Sequence, residues 1–232
     1  MHGYLRLLIA AGNETTRNAV TRGALLLMDH PGEQTCLEEA PAKRVAGLVE
    51  EVIRYTSPVI QFARTVTRDI TLHGQSLRAG DTVGIWYPSA NRDPRVFESP
   101  DTFNIRRDPN PHLGFGRGVH FCLGANLARF ELRALFQSLG ERRLLGRIKR
   151  AGAMRRLTDL HVGAVAELPL SSTPGGGAAL DAPALLAAPP AAATAFDVDA
   201  SGRSPAVAAT APRSLLEAME AVPHDDGGYT PG

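Results

Sequence analysis

The run Phe115-Gly116-Arg117-Gly118-Val119-His120-Phe121-Cys122-Leu123-Gly124 concentrates more chemistry than any other part of the chain. It holds one of only two cysteines, set among three glycines and followed at once by a helical pattern. Glycines at that density let a backbone approach a flat, bulky object closely, which a Cβ would prevent. A cysteine just before a helix sits where free N–H groups and the helix dipole favour its thiolate form. A thiolate held against a large planar group is how a protein ligates haem iron through sulfur. For a lone cysteine the plainer reading is a buried structural residue beside a glycine turn.

A second constellation stands near the N-terminus, Ala11-Gly12-Asn13-Glu14-Thr15-Thr16. On a helix, small Ala11 and bare Gly12 open a notch, and the Thr15 hydroxyl lies on the same face four residues after Ala11. Such a hydroxyl bonds back to an earlier carbonyl and deforms the helix. Glu14 beside it is a carboxylate able to move protons. The plain alternative is an internally satisfied hydroxyl next to a surface glutamate. A third signal is Glu51-Val52-Ile53-Arg54, where Glu and Arg three apart face the same way, as many solvated pairs do.

These motifs, in this order, resemble the cytochrome P450 family. The cysteine decapeptide meets every fixed position of the bacterial haem-binding pattern Phe-Gly-x-Gly-x-His-x-Cys-x-Gly. The resemblance implies that Cys122 ligates the iron of haem b (iron-protoporphyrin IX), a mode for which that family is the standing example. It implies that Phe115, Gly116 and Gly124 form the loop beneath the cofactor, with Ala11 and Gly12 above it. Glu14 and Thr15 become the acid–alcohol pair that delivers protons during oxygen activation. Glu51 and Arg54 become two members of a buried charge network. Its third member is Arg107, in Asp101-Thr102-Phe103-Asn104-Ile105-Arg106-Arg107, with Arg106 as the fallback. Arg64 and His120 match contacts to the haem carboxylates, a role suited to guanidinium. An exposed strand arginine and a loop-capping histidine remain the alternatives for that pair.

Ala11–Ala19, Ser89–Asp93 and Asn110–Gly116 look like the bacterial branch that hydroxylates steroid side chains and methyl-branched lipids. The implied function is a haem-thiolate monooxygenase inserting one oxygen atom from O2 into a C–H bond of a hydrophobic substrate. Ala11, Val59, Ile60 and the Val162-Gly163-Ala164 turn would lie near that substrate. Electrons would come from NAD(P)H through a ferredoxin reductase and a ferredoxin. The resemblance covers about residues 3–170, the C-terminal half of a chain about twice as long. The second reading is therefore a truncated, non-catalytic haem-binding fragment, and the third an interaction module whose motifs are relics.

The elements that must position these residues are legible as patterns. Leu8, Ala11, Gly12, Thr15 and Ala19 share one face of a helix reaching about Met28, which Pro31-Gly32 ends. A second helix covers about Ala42–Tyr55, with Val45, Leu48, Val49 and Val52 in phase, stopping before Ser57-Pro58. Strands are predicted at 63–66, 70–72 and 82–86, with turns at 73–75 and 79–81. Asn91 to Pro111 reads as a polar, proline-punctuated meander. A third helix runs from about Leu123 to Leu139, with Leu127, Phe130, Ala134 and Leu135 on one face. The predicted fold is mainly α with a small β component, the C-terminal half of the P450 fold over residues 1–170. Residues 171–232 form an Ala/Pro/Gly-rich, low-complexity tail expected to be disordered, with one short helix near 213–221.

Composition narrows the remaining classes. With 44% hydrophobic and 21% charged residues, the 232-residue chain is ordinary for a soluble globular protein. A net charge of +1 gives no footprint for nucleic acid. Cys36 and Cys122 do not make a disulfide framework, which suits a reducing, cytoplasmic setting. Cys36 reads as an incidental residue near a loop. No segment is long enough for a membrane span, and the apolar Tyr4–Ala11 run continues as a helix rather than ending as a signal peptide would.

Overall fold

The computed structural model describes residues 2–157 and 161–172. The low-complexity tail and its short helix lie outside the described residues. Helix α1 spans His2–Asp29, unbroken through Asn13–Arg17, in line with the helical reading of that stretch. Its two halves differ. Leu8, Ala11 and Gly12 are exposed, as are Tyr4, Leu5, Leu7 and Ile9, whereas Asn18, Ala19, Leu25 and Leu27 are buried. The helical face read from the sequence therefore enters the core only from its middle onward.

Pro31 does not simply end a helix; it begins another. Helix α2 covers Pro31–Glu39 and helix α3 covers Pro41–Thr56, each with proline in its first turn. Proline is tolerated there because its missing N–H has no intrahelical partner to lose. Cys36, expected near a loop, is on α2 and packs half-buried against the core. In α3 the in-phase residues Val45, Leu48, Val49 and Val52 are all buried. The helix closes at Ser57, whose left-handed φ of 39° lets its N–H return to the Ile53 carbonyl.

Strands β1 (Gln61–Thr65), β2 (Ile70–Leu72), β3 (Gln75–Leu77) and β4 (Thr82–Trp86) make a nested hairpin. The outer pair is β1 with β4, Gln61 opposite Trp86, and the inner pair is β2 with β3. His73 and Gly74, both at positive φ, form the two-residue turn that matches strand twist. A short helix α4 (Tyr87–Ala90) follows, and then the meander. Far from being merely polar, the meander sends Phe97, Phe103 and Ile105 into the core and buries Asn91 completely.

Helix α5 spans Ala125–Glu141. Its buried residues are Ala125, Leu132, Phe136 and Gly140, whereas Leu127, Phe130 and Ala134 are exposed. The apolar face expected from the sequence is thus the open one; α5 is apolar on two sides, and tertiary packing selects the other. The chain closes with strands β5 (Ile148–Arg150), β6 (Arg155–Arg156), β7 (Val165–Glu167) and β8 (Leu170–Ser172), paired β5 with β8 and β6 with β7. Helix α3 is the hub, packed on α1, α2 and α5. At Gly23 of α1 an added Cβ would lie 2.5 Å from the Phe136 ring and 3.0 Å from Val52, so three helices meet there with no room to spare.

Candidate functional site

The cysteine loop is shaped by its own backbone. Gly116 and Gly118 take φ of +71° and +62°, a region that L side chains rarely enter. A Cβ at Gly116 would also stand 3.1 Å from the His120 carbonyl. The Phe121 N–H donates to the Gly118 carbonyl at 2.9 Å, and the Cys122 N–H donates to the Phe115 carbonyl at 2.8 Å. Gly124 caps α5, and the Ala125 N–H donates to the Cys122 carbonyl at 3.2 Å. The loop therefore delivers the Cys122 thiol, exposed, to the start of α5. Its neighbours Val119, Phe121 and Leu123 are 78%, 51% and 82% exposed, so the thiol stands amid uncovered apolar surface.

Beneath the loop, Glu51, Arg54 and Arg107 come together. Glu51 and Arg54 are fully buried, and all five N–H groups of Arg54 are used. Nε and Nη2 grip the Glu51 carboxylate at 2.8 Å each. Nη1 donates to the carbonyls of Asn91 at 2.9 Å and Pro100 at 2.7 Å, and Nη2 also donates to that of Thr102 at 3.1 Å. Arg107 Nε reaches Glu51 at 3.2 Å, and its outer nitrogens hold the carbonyls of Glu98, Ser99 and Thr102. Arg106, the fallback, turns instead to Glu33 at 3.3 Å. Asn104 N–H and Asn110 Nδ2 complete the Glu51 shell at 2.9 and 3.0 Å. Asn91, which the sequence reading left in a meander, is the coupling piece. Its Nδ2 donates to Ser57 Oγ at 2.9 Å and its Oδ1 accepts the Leu113 N–H at 2.7 Å, three residues ahead of Gly116.

On α1, the Thr15 hydroxyl donates to the Ala11 carbonyl at 2.6 Å, as the helix-deforming reading expected. Glu14 is half-buried and already engaged: Arg17 Nη2 donates to it at 2.6 Å and Asn18 Nδ2 at 3.2 Å. Asn18, which sequence reasoning did not single out, is buried, and its Oδ1 accepts the Val165 N–H of β7 at 2.9 Å. Asparagine is a poor choice inside a helix unless its side chain has fixed partners, and that mismatch was the available signal.

Val59 and Ile60 meet the Val162-Gly163-Ala164 turn, a pairing the sequence did not indicate. Val59 bridges Val162, the Ile60 N–H donates to His161 at 2.7 Å, and the Gly163 N–H donates to Pro58 at 2.9 Å. Among the described residues, the Arg64 guanidinium is bonded only to the Ala63 carbonyl, at 2.9 Å, and forms no ion pair. His120 is exposed in the 3-10 turn Gly118–His120. No hydrogen bond among the described residues joins Glu14 or Thr15 to Cys122, Arg64 or His120; these groups border open faces of separate elements.

A second charged cluster, absent from the sequence reading, backs the loop. Glu50 of α3 accepts from Arg129 of α5 through Nε at 2.8 Å and Nη2 at 2.9 Å, and meets His112 Nε2 at 3.0 Å. Burial works to raise the Glu50 carboxyl pKa, but hydrogen bonds from His112 and Arg129 outweigh it and hold the value at about 2, against an ordinary 4.5. A carboxyl lowered by folding stabilises the fold above pH 4.5, and that contribution disappears as pH falls through 2. The depression corresponds to about 3 kcal/mol. Glu50→Gln is therefore expected to flatten the loss of stability between pH 4.5 and 2, measured as urea midpoints at successive pH values; an unaltered slope would show that Glu50 is not the group.

The donor set suits haem. It offers one exposed thiol on a glycine loop, uncovered apolar side chains beside it, and a guanidinium without a carboxylate partner among the described residues. At Gly12 of the α1 motif a Cβ would meet nothing within 4 Å, so that face is open as well.

Comparison with known proteins gives the family and the fold. The cytochrome P450 family model matches residues 5–139. The chain is 50% identical over 137 residues to the methyl-branched lipid omega-hydroxylase of Mycobacterium tuberculosis, covering 59% of this chain and 32% of that one. It is 40% identical over 176 residues to the steroid C26-monooxygenase of Rhodococcus jostii, covering 75% and 36%. The chain thus spans about a third of the length of these curated relatives. Among solved structures, the cytochrome P450 PksS of Bacillus subtilis superposes with a TM-score of 0.68 at 41% identity, over 72% of this chain and 44% of that one. With the family model spanning more than half of its residues and the fold shared, this chain belongs to the cytochrome P450 family.

Proposed function

We propose that this chain carries the haem-thiolate portion of a monooxygenase acting on a hydrophobic lipid of the steroid or methyl-branched class. The observation that supports it most is Cys122, whose exposed thiol is presented by a closed glycine loop amid uncovered apolar side chains. The Cys122 sulfur would bind the iron of haem b, Phe115, Gly116 and Gly124 would line the loop side, and Arg64 and His120 would take the carboxylates. Haem, when bound, supplies the one-electron and dioxygen chemistry.

The residues of the chain supply position and protons. Ala11 and Gly12 leave room for a small ligand beside α1, and the Glu14 carboxylate and Thr15 hydroxyl hold and pass protons at that notch. Val59 and Ile60, bridged to the 162–164 turn, offer an apolar wall to the substrate. Overall, one oxygen atom enters the C–H bond, and the other leaves as water after taking two protons and two electrons. NAD(P)H would provide the electrons through a ferredoxin reductase and a ferredoxin. The substrate class rests on the names of the relatives.

A second reading is a haem-binding fragment without turnover. The bare apolar residues of α1 and the open face of α5 favour it, since both ask for further polypeptide to cover them.

The test is to express the 232-residue chain with haem supply, reduce it and add carbon monoxide. The red-shifted Soret band of a thiolate complex is expected, and its complete loss in Cys122→Ser. Absence of haem uptake, or an identical band in Cys122→Ser, would overturn the proposal. A thiolate band without oxidation of any sterol or branched fatty acid would select the fragment.

A further inference from the structure

Resting on that reading of Cys122, we infer that Glu50, His112 and Arg129 are positioning residues for its sulfur, a charged clamp that sets the cysteine loop against α5. The cluster ties three elements: Glu50 on α3, His112 at the entry to the loop and Arg129 about one turn into α5. Its geometry leaves little freedom. Arg129 meets Glu50 through two parallel N–H···O contacts of 2.8 and 2.9 Å, the bidentate form that fixes orientation as well as charge. The same guanidinium lies 4.3 Å from the centroid of the Phe115 ring.

His112 locks the other side. Its Nδ1 accepts the Gly114 N–H at 3.1 Å, which leaves Nε2 to donate to Glu50 at 3.0 Å. The His112 side chain is only 3% exposed, and its ring tilts against Phe115 at 5.9 Å. Phe115 is therefore gripped by Arg129 and His112 together, and its carbonyl is the acceptor of the Cys122 N–H. Two further constraints bracket the segment. Asn91 holds Leu113, and at Gly114 a Cβ would come within 2.4 Å of Ile53. A shift of the clamp would move Phe115, and with it the hydrogen bond to its carbonyl that orients the backbone N–H of Cys122. The Glu51–Arg54–Arg107 network fixes the meander; this second cluster fixes the loop.

The test is hydrogen exchange in the full 232-residue chain without haem, comparing residues 112–122 with the inner hairpin 70–77. In His112→Leu and Arg129→Met the loop amides, Cys122 included, are expected to exchange about tenfold faster while the hairpin is unchanged. His112→Gln, which keeps a donor near the Nε2 position, is expected to restore most of the protection. Arg129→Lys, which keeps the charge but loses the fork, is expected to fall between. Equal acceleration of loop and hairpin, even in the mild Arg129→Lys, would overturn the inference in favour of general scaffolding, as would an unchanged loop.

The haem-loaded chain gives a second readout. Loosened variants are expected to shift carbon monoxide complexes from the thiolate band toward the band of a lost thiolate. A loosened loop with an unaltered band would overturn the inference and leave the proposed function standing. Failure of the unsubstituted chain to take up haem would overturn the proposed function and leave the exchange test in force.

Discussion

Arg54→Ala is expected to cost about 3–5 kcal/mol, the range for removing one partner of a buried ion pair. The reason is visible in its donors. With the guanidinium gone, the Glu51 carboxylate, fully buried, loses its two shortest contacts, and the carbonyls of Asn91 and Pro100 lose the Arg54 N–H groups that meet them. Arg107 still reaches Glu51, but at 3.2 Å and from the outer side. A domain of this size has only about 5–15 kcal/mol in total, so the variant should unfold at a much lower urea midpoint. Arg54→Lys should recover only part of the loss, since a single ammonium cannot replace five N–H groups spread over a plane. A midpoint for Arg54→Ala within error of the parent chain would show the network to be ornamental. By contrast, loss of the exposed Arg95–Asp93 pair should leave the midpoint almost unmoved.

Phe136→Ala is expected to cost a similar amount, about 3–5 kcal/mol, by transfer and cavity effects together. Phe136 is fully buried where α1, α3 and α5 converge, with its ring tip against the bare backbone of Gly23 and the methyls of Val52. The neighbours cannot collapse into the space easily, because Gly23 has no side chain to offer. The double change Gly23→Ala with Phe136→Leu should cost less than the two singles added, since the new methyl refills part of the gap. Urea unfolding of the four chains measures that coupling; strict additivity would mean that the ring and the glycine do not share the contact.

Much of the site was readable before the fold because its signals are local. The Glu51–Arg54 spacing puts both groups on one helix face, while Arg107, with Arg106 as its fallback, came from the family resemblance and not from spacing. The in-phase valines and leucine of α3 needed nothing more than periodicity. What escaped was set by contacts distant in sequence. Asn91 sits in a stretch whose composition says loop, and only the carbonyl geometry of the meander gives it a buried role. Glu50 is the neighbour of Glu51, and no local pattern says that it should find Arg129, 79 positions away. On α5, two apolar stripes compete, and α3 and α2 choose the stripe with Leu132 and Phe136 over the one with Leu127 and Phe130. Helix α2 was hidden because Pro31 carries the same residue signature for a stop and for a first turn.

The hydroxyl of Thr15 has a single hydrogen, and the Ala11 carbonyl already takes it. What it shows to the open side of the helix is lone pairs alone. In the role proposed for it, Thr15 is thus cocked as a receiver, and it becomes a giver only after swinging away from Ala11. Each turnover would then have to include a small unlatching of one helical turn, and bracing that turn from outside would slow proton delivery without touching sulfur, iron or substrate.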